Sequence, residues 1–177
     1  KNAIHIVDAI DAFNAVIDEG KCVNCGMCEK VCQQKNVPQL RSPIIWKQGW
    51  TYDDKTRMRS ASGGIATELA RTFIEKRGGN FVFDIVEDVN RLDCFAGSKY
   101  IKSNPIGIYK TIKRELAKET EILFIGLPCQ VAAVKNSTAI LPLEMRGNLY
   151  TVDLICHGSP SPRILDMALE EKGIDIK

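Results

Sequence analysis

Apolar residues recur along this chain in short groups, and their spacing predicts a succession of small elements. In residues 1–20, Ile6, Ile10, Phe13 and Ile17 fall three and four apart, which predicts a helix ended by Gly20. Residues 37–59 lack a period and carry Pro38, Pro43, Trp46 and Trp50; they read as an irregular connector with a short strand at 44–46. Beyond it, strands and helices alternate. Ser62-Gly63-Gly64 opens a helix with Ile65, Leu69 and Phe73 on one face, closed by Gly78-Gly79. Phe81 to Val86 reads as a strand, and Asn104-Pro105 starts a helix with the stripe Ile108, Ile112 and Leu116. Glu121 to Gly126 is a buried strand leading through Leu127-Pro128 into a helix over 129–136. Leu149 to Ile155 is another strand, and Pro162 begins a last helix that runs to Lys172 and stops at Gly173. This alternation predicts an α/β fold: a mostly parallel or mixed sheet with flanking helices.

Composition narrows the class. In 177 residues, 45% are hydrophobic and 26% charged, the balance of a folded globular chain rather than a disordered one. A net charge of +2, without dense Lys/Arg interleaved with aromatics, argues against nucleic acid as a partner. The uncharged stretch from Ile122 to Val134 contains Gly126, Pro128 and Gln130 and falls short of the roughly 18 apolar residues of a membrane span. Asp8 and Asp11 interrupt any signal-peptide core, so a cytoplasmic location is expected. The start at Lys1 and the stop at Lys177, just after a predicted helix, are those expected of a fragment.

Seven cysteines, an odd number with four inside eleven residues, are not a disulfide framework. The run is Cys22-x2-Cys25-x2-Cys28-x3-Cys32. Two-residue gaps let one loop wrap three thiolates around a cubane cluster, and the three-residue step carries the fourth sulfur onto a helical turn. Gly26 inside the loop lets backbone N–H groups approach cluster sulfides. Zinc is the competing reading, but its sites usually come as two pairs a dozen or more residues apart, and no second pair follows. Gln33 stands where a ferredoxin run normally continues with Pro. With one run only, Cys32 either closes the same cluster or serves a second one whose other ligands lie elsewhere. The run makes residues 1–40 a small ferredoxin-like iron–sulfur module, with 41–177 as the main body.

Three further constellations carry possible chemistry. Ser62, Gly63 and Gly64 precede a helix, where free N–H groups can hold a phosphate, although most such starts are only caps. Cys129 and Cys156 each follow a buried strand, at the edge where parallel sheets collect ligands. They read either as structural cysteines or as cluster ligands or cofactor contacts; Cys156 with His157 could also be a nucleophile pair, but no orienting third group is identified. Gly97, Ser98, Lys99 and Tyr100 add a turn with a cation and an aromatic ring, by default surface residues, and Cys94 has no expected role.

Taken together, the stretches Lys21–Cys32 (KCVNCGMCEKVC), Ser60–Leu69 (SASGGIATEL), Gly97–Tyr100 (GSKY), Leu123–Val134 (LFIGLPCQVAAV) and Leu149–Pro162 (LYTVDLICHGSPSP) resemble the beta-subunit family of coenzyme F-420 (deazaflavin) hydrogenases and dehydrogenases. The resemblance implies an iron–sulfur flavoprotein oxidoreductase that passes electrons between a 4Fe–4S cluster, FAD and a small-molecule or deazaflavin acceptor. It implies that 41–177 is the N-terminal part of a truncated flavin-binding domain. Ser62, Gly63, Gly64, Gly97, Ser98, Lys99 and Tyr100 would form the flavin surface. Gly126, Pro128, Cys129 and Gln130, with Cys156 and His157, would line the flavin or a second cluster. A redox donor subunit or ferredoxin is the implied partner. A non-enzymatic ferredoxin-like relay subunit and a zinc-stabilised interaction protein remain as alternatives of other classes.

Overall fold

A computed structural model describes residues 2–8, 13–39, 41–78, 80–82, 105, 107–158 and 162–174. They fall into two compact units, with one break between Met27 and Cys28 and another between Cys156 and His157.

The first unit holds a two-stranded antiparallel hairpin of β1 (Ile4–Asp8) and β2 (Phe13–Ile17), in register Ile4↔Ile17 and Ile6↔Ala15. The helix expected over residues 1–20 is therefore not formed. Ile4, Ile6, Val7, Val16 and Ile17 are β-branched, stiff at χ1 and better suited to a pleated surface than to a helix, so the spacing of Ile6 and Ile17 is incidental. Ile10 lies outside the described residues. This unit also contains the last helix, α7 (Pro162–Glu171), followed by Gly173 at positive φ as expected.

The second unit is an α/β sandwich. After α1 (Met27–Val31), the connector is irregular through Gly49; the strand expected at 44–46 is absent, and α2 (Asp54–Arg59), not foreseen, follows. Ile44 and Ile45 are exposed and, among the described residues, find no neighbouring strand with which to pair. Asp53 caps α2, accepting from the Thr56 backbone N–H at 3.1 Å and the Thr56 hydroxyl at 2.5 Å.

Next come α3 (Ile65–Arg77), β3 (Asn80–Val82), α4 (Ile108–Leu116), β4 (Ile122–Gly126), α5 (Pro128–Thr138), α6 (Leu143–Arg146) and β5 (Leu149–Asp153). The three strands form a parallel sheet in the order β3-β4-β5, with Phe124 opposite Val82 on one side and Thr151 on the other. Parallel pairing requires crossovers, which the helices supply.

Alternation along β4 divides the core. Leu123 and Ile125 face Ala70 and Phe73 of α3, while Ile122 and Phe124 pack with Ile112 and Leu116 of α4 and Val131 and Val134 of α5. A strand covered on both faces must be apolar throughout, and every residue of β4 is buried. The buried face of α3 is built from Ala66, Ala70, Phe73 and Ile74; the expected face members Ile65 and Leu69 remain 41% and 44% exposed. Gly78 in the left-handed region ends α3, its N–H bonding the Ile74 carbonyl. The stripe of α4 is the expected one, but the helix begins three residues after Pro105, behind Gly107 at φ 100°. Asn104 lies outside the described residues, as does the strand expected at 83–86.

Candidate functional site

The cysteine loop starts from the hairpin. Asp18 extends the pairing by donating its N–H to the Ala3 carbonyl, and its own carbonyl accepts from Lys21 N and Cys22 N at 3.1 and 2.9 Å. Its carboxylate holds Lys21 at 2.7 Å and Gly20 N at 3.1 Å, and the Lys21 bond keeps that carboxyl below its ordinary range. Asn24 and Gly26 then adopt positive φ, 53° and 67°. Each sits in one of the two-residue gaps, Asn24 between Cys22 and Cys25 and Gly26 between Cys25 and Cys28. A positive-φ residue in a short loop turns the chain sharply, a feature of backbone anion-binding concavities. Asn and Gly are the residues that accept this conformation at least cost.

Cys28 lies on α1 and Cys32 just after it. Asn36 closes that turn, its N–H bonding the Cys32 carbonyl at 2.9 Å and its side-chain amide reaching the Glu29 and Lys30 carbonyls at 2.8 and 3.2 Å. Glu29 bonds Lys35 at 2.6 Å; this partner raises the Lys35 ammonium above its ordinary range, with smaller contributions from Cys32 and Cys28. A cation thus stands near two thiols of the run.

None of the six described cysteines, Cys22, Cys25, Cys28, Cys32, Cys129 and Cys156, is in a disulfide; Cys32 is half-buried and the others are exposed. Among the described residues, no three His, Cys, Asp or Glu side chains converge as metal ligands. The run nonetheless fits an iron–sulfur cluster by its donors and its backbone: four unbonded thiols on a loop with a left-handed residue in each short gap.

A second locus is the carboxyl edge of the sheet. Leu154 N donates to the Gly126 carbonyl at 2.9 Å, tying the ends of β4 and β5. A Cβ at Gly126 would meet the Phe124 ring at 2.9 Å and Gln130 Oε1 at 3.1 Å, so glycine is required there for packing. That Gln130 oxygen accepts from Leu127 N at 2.9 Å and closes the start of α5, where Pro128 takes the first turn and Cys129 stands exposed. Cys156 is exposed two residues past Leu154, and His157 is exposed at the start of the other unit's segment. Sequence reasoning missed Tyr109 here. Its ring packs edge-on to Phe124 at 6.4 Å, and burial, then the neighbouring Cys129 thiol, push its hydroxyl up to about 12. Its position next to Ile108 at the start of the α4 stripe was the available signal.

The glycine loop is a third locus. Ser62 is exposed, and Gly63 and Gly64 take φ of 73° and 79°. Their Cβ positions would fall 3.0 Å from Trp50 Cβ and 2.7 Å from Thr51 Cγ2, while Thr51 N donates to the Gly63 carbonyl at 2.8 Å. The connector therefore packs against these glycines on the side where a Cβ would stand. Thr51 Oγ1 continues to Glu68 at 2.9 Å, and Glu68 pairs with Arg71. Gly97, Ser98, Lys99 and Tyr100 lie outside the described residues. The structure thus gathers Gly126, Pro128, Cys129 and Gln130 on one strand–helix turn, and sets Ser62, Gly63 and Gly64 against the connector.

Two family models match this chain. Residues 119–177 match the C terminus of the coenzyme F420 hydrogenase/dehydrogenase beta subunit, and residues 15–35 match the 4Fe-4S binding domain. No curated protein and no solved structure matches. The first match covers the carboxyl-edge turn and both later cysteines; the second covers the whole cysteine run. The resemblance drawn from the sequence motifs stands, and with it an iron–sulfur redox role. Among the described residues, no helix is long and apolar enough to cross a membrane.

Proposed function

We propose that this chain is an iron–sulfur oxidoreductase component that passes electrons between a 4Fe–4S cluster held by Cys22, Cys25, Cys28 and Cys32, FAD, and a small-molecule or deazaflavin acceptor. The observation that carries the reading is the four-cysteine run with Asn24 and Gly26 in left-handed conformation, on the segment that matches a 4Fe-4S binding domain. When bound, the cluster supplies one-electron transfer and the flavin couples it to two-electron chemistry. The chain's own residues do the rest. Asn24 and Gly26 bend the loop through its two short gaps, Asn36 fixes the turn behind Cys28 and Cys32, and Lys35, bonded to Glu29, adds a cation near them.

For the flavin, the residues divide. The turn from Gly126 to Gln130 and the exposed Cys156 sit on the carboxyl edge of a parallel sheet, where such folds bind ligands, and this edge supports a flavin. At the glycine loop, Trp50 and Thr51 pack closely on Gly63 and Gly64. That packing favours a second reading, a non-enzymatic relay protein with a cluster and no flavin. Anaerobic reconstitution with iron, sulfide and FAD, followed by desalting and analysis of all three, separates the two. Iron, sulfide and flavin together support the oxidoreductase; iron and sulfide alone support the relay. A colourless protein holding zinc overturns both.

A further inference from the structure

We infer that the Glu29–Lys35 ion pair tunes the reduction potential of the cluster carried by the cysteine run: Lys35 supplies the charge that favours the reduced state, and Glu29 positions it. Glu29 directly follows Cys28 on α1, and Lys35 lies three residues past Cys32. The Lys35 ammonium bonds the Glu29 carboxylate at 2.6 Å. The main chain beneath the pair is closed on itself. Lys35 N donates to the Cys32 carbonyl at 3.2 Å, and Cys32 N donates to the Glu29 carbonyl at 3.3 Å. The Asn36 side-chain amide bonds that same Glu29 carbonyl at 2.8 Å. Both charged side chains therefore project from the turn that carries Cys28 and Cys32, within one unit of the fold.

Folding stability does not account for the pair. Its side chains are 65% and 61% exposed, and an ion pair so open to water contributes little to stability. Its charge does have a destination. Besides Glu29, the groups whose charge acts on Lys35 are Cys32 and Cys28, and both favour the ammonium. Net charge around an iron–sulfur cluster is one of the properties that set its potential. Reduction adds one electron to the cluster, with no bond made or broken and no proton moved. A cation fixed beside two of the thiolates therefore stabilises the reduced form more than the oxidised one. Glu29 opposes this, because it holds the ammonium at its own carboxylate and adds a negative charge beside Cys28. Each half of the pair thus moves the potential in its own direction. The inference rests on the iron–sulfur reading.

The test is an anaerobic redox titration of the full reconstituted chain with dithionite, read by electron paramagnetic resonance of the reduced cluster. Lys35→Gln should lower the reduction equilibrium about threefold, which is about 28 mV for one electron. Lys35→Arg keeps the charge and should hold the wild-type potential. Glu29→Gln should shift the equilibrium upward by a similar factor, and the shift should shrink when Lys35→Gln is also present. Lys118→Gln, which removes a cation paired with Glu115, should leave the potential unchanged. Equal potentials in the wild type, Lys35→Gln and Glu29→Gln, with iron and sulfide retained, overturn the inference and leave the pair a surface contact. So does a shift in Lys118→Gln as large as that in Lys35→Gln, which would assign the effect to overall charge. Should Lys35→Gln hold no cluster, Glu29→Gln decides: an upward shift supports the inference and none overturns it. Failure of the iron–sulfur reading is distinct, because the wild type then retains no iron or sulfide and gives no signal on reduction, and the inference falls with it.

Discussion

Asn136 of α5 donates its side-chain amide to the main-chain oxygen of Asn36, 2.8 Å away and a hundred residues earlier. Asn36 is also the residue whose own side chain closes the turn behind Cys28 and Cys32. One residue therefore joins the end of the cysteine run to the helix that starts at Pro128-Cys129. Asn136→Ala removes only the inter-element bond and should cost about 0.5–1.5 kcal/mol. Asn36→Ala leaves that bond in place, because the acceptor is main chain, but strips the carbonyls of α1 of their partner. Denaturant unfolding should show a loss for both variants, whereas faster amide exchange across residues 27–32 should follow mainly from Asn36→Ala.

Replacing Cys25 or Cys28 by Ser should lower bound iron and sulfide several-fold after anaerobic reconstitution, since a cluster needs its thiolates and the loop offers no spare thiol in these gaps. Both thiols are exposed, so the same substitutions should leave the unfolding midpoint of the apoprotein near that of the wild type. Full iron content in either variant would remove those positions from the ligand set.

The parallel sheet was legible because its signals are local and redundant. Ile122 to Ile125 is a continuous apolar run, and Gly126-Leu127-Pro128 punctuates it between two helices with apolar stripes. The hairpin was not legible, because Ile6, Phe13 and Ile17 also satisfy a helical period and the deciding preference is the β-branching of their neighbours. The buried face of α3 was misassigned for a related reason: Ala66 and Ala70 allow close approach of the sheet, so small residues face the core while Ile65 and Leu69 face out. The cysteine run could be read from spacing, since covalent geometry dictates it. The partners of Gly63 and Gly64 could not, because Trp50 and Thr51 reach them through a tertiary contact with no periodic trace.

Gly64→Ala tests whether that glycine serves packing or a ligand. The new methyl would stand 2.7 Å from Thr51 Cγ2 and 3.1 Å from Thr56 Cγ2, both on buried residues, at a φ of 79°. Strain and overpacking together should cost about 1–3 kcal/mol, read as a lower unfolding midpoint with or without cofactors. An unchanged midpoint with loss of bound flavin would assign the glycine to the flavin instead.

Tyr109 should keep its proton into the alkaline range. Its hydroxyl is pushed up to about 12 from an ordinary 10.0, chiefly by burial and secondarily by the Cys129 thiol. The folded chain keeps this proton where the unfolded chain has released it, so the unfolded state binds fewer protons between those values. Stability from this group is then complete below pH about 10 and lost as pH rises toward about 12. Alkaline titration of tyrosinate absorbance should show a late step that is absent from Tyr109→Phe. The stability difference between wild type and that variant should stay flat at neutral pH and shrink only in the alkaline window. Because burial outweighs the thiol, Cys129→Ser should move the late step only slightly downward; a shift all the way to the ordinary value would mean that the sulfur, and not the packing against Phe124, controls this end of the site.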